Sequence, residues 1–116
     1  MRLLAIISSG LLLSGCGAAQ FASAPSMPND TESKAIRSSI YTTFASLKLP
    51  GSPEISPLHE NKALGTPADF AICLRSTGGN GKYVVFLISQ GKVVDYRSAV
   101  GLDRCNEQTY APLRKP

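Results

Sequence analysis

The hydrophobic period changes once along this chain, and that change limits the folds open to it. Ile36, Ile40, Phe44 and Leu47 recur at the spacing of one helix face. Further on the period drops to two. Phe70, Ile72 and Leu74 share one face of a strand over residues 69–76, with Ala71, Cys73 and Arg75 on the other. Residues 82–89 are apolar on both faces, as in a central strand. Residues 92–98 place Val94 and Tyr96 on one face and Val93, Asp95 and Arg97 on the other, which suits an edge strand. Thr77-Gly78-Gly79-Asn80-Gly81 and Gln90-Gly91 are the turns between them. The expected fold class is α+β: one N-terminal amphipathic helix packed on a three-stranded antiparallel meander.

The helix has readable ends. Asn29 followed by Glu32 has the spacing of a capping box, and Pro28 lies just outside. Ala35 and Tyr41 widen the apolar stripe. Lys48 is placed in the last turn, where a cation favours the helix dipole, and Pro50-Gly51 stops the helix. The opposite face is rich in Ser and Thr with few Lys, unlike a membrane-surface helix. Residues 50–67 hold four prolines and two glycines and read as an irregular connector.

The N-terminus carries a different signal. Met1-Arg2 is a short positive region, residues 3–13 are apolar, and Ser14-Gly15 precede Cys16. This is the signal-peptide pattern. The apolar run is far short of the roughly 20 residues that cross a bilayer. Leu13-Ser14-Gly15-Cys16 resembles the lipobox of bacterial lipoprotein precursors. The resemblance implies a diacylglyceryl group on the Cys16 sulfur and cleavage before it. Two long acyl chains supply on the order of 20 kcal/mol of transfer free energy, enough for stable anchoring. The alternative is a plain secretory signal with Cys16 as a passive thiol. Gly17 stands where, in the familiar sorting pattern of diderm bacteria, Asp retains a lipoprotein in the inner membrane. The expected location is therefore the periplasmic side of the outer membrane, lipid-anchored.

The expected organisation is a cleaved signal over 1–15, a flexible tether over 16–29 and a small α+β domain over 30–116. The tether is rich in Ala, Ser, Pro and Gly. A domain this small is marginal without a brace. Cys73 and Cys105 form an even pair in an exported, oxidising setting, so a disulfide is expected, adding roughly 3.5–4 kcal/mol in the chain-entropy model. The C-terminal tail would then cross the Cys73 face of the first strand, leaving the Phe70 face to the helix. Thr109-Tyr110-Ala111 is a candidate short edge strand. A metal is the rival reading for the cysteines. His59 is the only other soft ligand and no zinc-ligand spacing occurs, so no metal or cofactor is expected.

Chemistry-bearing motifs are sparse. The chain has 12 Lys+Arg against 8 Asp+Glu; losing Arg2 with the signal leaves 11 against 8. The cations are scattered without aromatic interleaving, which argues against a nucleic-acid partner. Gly78-Gly79-Asn80-Gly81-Lys82 lacks the following Ser or Thr and the helix of a phosphate-binding loop, so it reads as a hairpin turn. His59 beside Glu60 reads as a solvated loop pair, and no catalytic residues are assigned.

Cys73-Leu74-Arg75, Gly81-Lys82-Tyr83-Val84-Val85-Phe86, Gly91-Lys92-Val93-Val94-Asp95, Cys105 and Tyr110-Ala111-Pro112-Leu113 resemble small uncharacterised lipoproteins of alphaproteobacteria. The resemblance spans residues 70–113 and the signal, and it implies no activity. The expectation is a non-enzymatic structural or protein-interaction module, bound to the membrane by its lipid and to an envelope protein by its domain. A periplasmic inhibitor or small-ligand-binding module is the alternative.

Overall fold

The computed structural model of the chain describes residues 26–62, 68–79 and 81–116. The expected signal and anchor residue Cys16, and most of the tether, lie outside the described residues. Helix α1 runs Asp30–Leu47. Its capping box is complete: Glu32 N–H donates to Asn29 Oδ1 at 2.8 Å, and Asn29 N–H donates to Glu32 Oε1 at 2.9 Å. Ile36, Ile40 and Phe44 are buried, and Leu47 is half-buried. Lys48 departs from expectation. It is the C-cap, in the left-handed region at φ 54°, and the last turn holds no basic residue. The left-handed turn leads into Pro50-Gly51. There the chain is pinned to the far end of the sheet: Ser76 Oγ donates to Pro50 O and Ser52 N–H donates to Thr77 Oγ1 at 2.8 Å.

The α+β class stands, but among the described residues the sheet has six strands, not three. They are β1 Pro53–Ile55, β2 His59–Glu60, β3 Phe70–Ser76, β4 Val84–Ser89, β5 Lys92–Ser98 and β6 Ala111–Pro112. The expected meander is β3–β4–β5. The spatial order is β5-β4-β3-β1-β6, with β2 also paired to β3 and every pairing antiparallel. The connector over 50–67 therefore supplies two strands, both on the same side of β3. They form one interrupted strand with its break over residues 56–58. Across the break, Ser56 N–H donates to Cys73 O at 2.9 Å and Cys73 N–H donates to Ser56 Oγ at 2.8 Å. A hydroxyl thus takes the place of a missing backbone acceptor, and a buried N–H stays satisfied. β6 extends the sheet beyond β1, with Leu113 N–H donating to Pro53 O at 2.9 Å.

β5 corrects the simple alternation. Leu87 faces Asp95 but Ile88 faces Val93, so Val94 is the extra residue of a bulge. The bulge brings Val93 onto the helix side together with Tyr96, where Val93 packs against the core and Tyr96 stacks on Phe86 with centroids 5.5 Å apart. Ala99 N–H donates to Tyr83 O, which by alternation turns the backbone groups of Tyr96 and Ser98 to the open edge. Two of these four edge groups are taken by neighbouring side chains. Tyr96 N–H donates to Asp95 Oδ1 at 2.8 Å, and Arg97 Nη1 donates to Ser98 O at 3.1 Å. A free edge closed in this way is a poor template for another strand.

Each face of the sheet is covered. The helix face buries Ile36, Ile40 and Phe44 against Ile72, Leu74, Phe86, Ile88 and Leu113. The other face buries Ala71, Cys73, Val85 and Leu87 under Cys105, with Tyr83 and Tyr110 packed alongside. At the β4–β5 turn, Gly91 sits at φ 78° directly beneath the Glu32 carboxylate. A methyl group there would collide with the capping box and strain the backbone. Gly91→Ala is expected to cost about 2 kcal/mol, combining left-handed strain with a damaged cap. Urea unfolding of the purified protein checks this; an unchanged midpoint would refute the contact between hairpin and helix start.

Candidate functional site

The tail is the part of the fold that builds a surface. After β5 the chain makes two short 3-10 turns, Gly101–Asp103 and Cys105–Glu107, with Arg104 between them at φ 53°. Cys105 is bonded to Cys73 with the Cα atoms 5.5 Å apart, and both residues are buried. Two polar locks flank the bond. Arg97 grips Asp103 through both carboxylate oxygens, at 2.7 and 2.9 Å, and Val100 N–H donates to the same carboxylate at 2.7 Å. The Asp103 side chain is only 1% exposed. Burial alone would raise its proton affinity, but Arg97 and the Val100 N–H outweigh that and hold the carboxyl below its ordinary range.

The second lock is aromatic. Tyr110 OH donates to Cys105 O at 2.6 Å. Its ring lies 5.9 Å from that of Tyr83 and 4.3 Å beneath the Arg75 guanidinium, a cation–π geometry. Arg75 is fixed by Glu54, with Nε 2.8 Å from Oε1, and that hydrogen bond raises its pKa further. Burial pushes the Tyr110 phenol up to about 12, aided by Tyr83 and opposed by Arg75. It remains a hydrogen-bond donor throughout the physiological range.

These locks place residues 109–112 opposite the start of α1. Between them lies an open groove of about 420 Å³. Half-buried Ile55 and Leu58 give its apolar surface, with Pro57 and Pro112, over a floor of buried Ile36 and Ile72. Ser33 and Arg37 rise from the helix wall, Thr109 and Tyr110 from the tail. Arg37 is exposed and has no carboxylate partner among the described residues. The groove is assembled from four separated segments: the start of α1, residues 55–58, Ile72 of β3 and residues 109–112. Sequence reasoning missed it because Ile55 and Leu58 lie in a proline-rich stretch read as a connector.

The residues singled out from the sequence meet only in part. Cys73 and Cys105 are joined. His59 sits on β2 opposite Ala71, with Nδ1 3.0 Å from Pro57 O and Nε2 3.9 Å from Cys73 Sγ. It faces the disulfide, not Glu60, whose carboxylate lies 4.0 Å from exposed Lys62. Among the described residues, no group of three or more His, Cys, Asp or Glu is placed to hold a metal ion. Residues 77–79 form the turn between β3 and β4, and the element after Lys82 is a strand. The chain matches no protein-family model, and neither curated proteins nor solved structures give a significant match.

The Arg97–Asp103 lock makes a pH prediction. Folding lowers the Asp103 pKa, so the unfolded chain binds that proton more tightly. The lock's contribution is complete above the ordinary carboxylate value near ~4 and is lost as acid titrates through the lower folded value. Asp103→Asn is expected to cost about 2–3 kcal/mol at neutral pH and much less near pH 2. Denaturant unfolding of both proteins across pH checks it; an equal cost at both ends would contradict the assignment.

Proposed function

We propose that this protein is a lipid-anchored lipoprotein of the bacterial cell envelope, held by Cys16 at the periplasmic face of the outer membrane. Its domain works as a non-enzymatic interaction module there. The observation that carries the reading is the buried Cys73–Cys105 bond in a chain whose N-terminus bears Leu13-Ser14-Gly15-Cys16. Disulfides persist in oxidising compartments, and a structural one in so small a domain fits an exported protein. The lipobox supplies the means of attachment, since diacylation gives the two chains that stable anchoring requires. No helix among the described residues is long and apolar enough to cross a membrane.

The non-enzymatic part rests on what the side chains bring together. Asp103 and Glu54 are spent on arginines, His59 faces a disulfide sulfur, and Tyr110 is a protonated donor to a backbone carbonyl. Such groups brace the domain, and its recognition surface is the groove beside α1.

Metabolic labelling with an alkyne palmitate in a diderm bacterial host tests the anchor. The wild-type chain is expected to take the label and sediment with outer membranes. Cys16→Ser is expected to lose the label and accumulate as precursor. A wild-type product that is soluble in the periplasm and unlabelled would overturn the reading.

A further inference from the structure

We propose that the groove between α1 and the β1–β6 edge binds a fatty acid, its single apolar chain lying on Ile36, Ile55, Leu58 and Ile72 and its carboxylate held by Arg37. The inference concerns the domain alone and does not depend on acylation of Cys16. Three observations select this occupant.

The first is charge. Ser33 and Arg37 are four residues apart on α1, so they stand one above the other on the groove wall. The ion pairs among the described residues join Glu54 to Arg75, Asp103 to Arg97 and Glu60 to Lys62, and none includes Arg37. An apolar trough with an unneutralised guanidinium at its lip complements an amphiphile with one anionic end. A carboxylate suits the planar fork of Arg especially well.

The second is the edge. An extended peptide would bind by adding a strand to β6, but β6 offers little to pair with. Ala111 and Leu113 direct their backbone groups to β1, as the Leu113 N–H to Pro53 O bond shows. That leaves Tyr110 and Pro112 facing outward, and Pro112 has no N–H. A ligand without a backbone needs no such ladder.

The third is size. About 420 Å³ lies at the small end of small-molecule sites. It suits one chain and a compact head better than a two-chain lipid. Prolines 28, 57 and 112 border the space and limit how far its walls can spread.

The full chain, presented with nanodiscs of zwitterionic lipid and with or without acylation at Cys16, treated with a diazirine-bearing C16 fatty acid and irradiated, tests the proposal. Peptide mapping by mass spectrometry is expected to place adducts on residues 55–58 and 109–112. Arg37→Glu, at an exposed position, is expected to lower adduct yield about fivefold with an unchanged melting temperature, the size of a partly exposed ion pair. Ser33→Trp, which fills the groove, is expected to lower it more than tenfold. Unlabelled palmitate should compete at least fivefold better than a monoacylglycerol of the same chain.

Equal competition by the neutral lipid would overturn the role of Arg37. Stronger competition by a lysophospholipid would replace the carboxylate with a phosphate and overturn the fatty-acid assignment. Adducts centred on Lys82 and Tyr83, beside the second hollow of about 340 Å³, would overturn the site itself.

Discussion

The covalent tie between Cys73 and Cys105 is the constraint from which the second half of the architecture follows. Residues after β5 carry few large apolar side chains, and both Val100 and Leu102 are exposed. Such a segment buries too little surface to offset the entropy of its own ordering. Crosslinking it to the centre of β3 shortens the loop it must close and confines the unfolded chain as well. Once Cys105 is fixed, the neighbouring contacts become local. Asp103 meets Arg97, the Tyr110 ring slides beneath Arg75, and Leu113 reaches the core on the helix side. One bond thus covers a sheet face, adds β6 beyond β1 and raises one wall of the groove.

The tail also decides which surfaces are open. Apart from the outer side of the two-residue β2, the sheet ends at β5 and β6, and neither invites a partner strand. β5 is bulged at Val94, and two of its outward backbone groups, Tyr96 N–H and Ser98 C=O, are capped by Asp95 and Arg97. β6 is two residues long and contains a proline. What remains is the gap between the helix and the β1–β6 edge, where α1 does not fully cover the sheet. Its shape depends on both the capping box that sets the helix start and the disulfide that sets the tail. The recognition surface is therefore a product of packing between distant segments, held at its borders by the capping box between Pro28 and Ser33 and by the Tyr110 lock.

The parts of this fold that could be read from sequence are those long enough to show a period. Ile36, Ile40 and Phe44 give three successive turns of one face, and all three are buried. Phe70, Ile72 and Leu74 alternate cleanly and meet the helix, while Cys73 points the other way to meet Cys105. The short strands had no period to show. Three residues of β1 and two of β2 acquire strand geometry only by pairing, and prolines 53 and 57 hid them further, whereas the edge strand expected at Thr109-Tyr110-Ala111 forms at Ala111–Pro112. The bulge in β5 was hidden for a related reason, since one extra residue inverts the faces before it. Lys48 was placed by its charge, whereas the chain uses it to turn at φ 54°. The groove lay beyond reach because no single segment contains it.

Hydrogen exchange on the purified domain-bearing chain, before and after reduction of the disulfide, tests the central dependence most directly. The account predicts that reduction abolishes protection at Leu113 N–H and Ser56 N–H, which bond to Pro53 and Cys73, while amides joining β3 to β4 keep most of theirs. Persistent protection at Leu113 in the reduced protein would show that the tail docks without its crosslink, and the account would be contradicted.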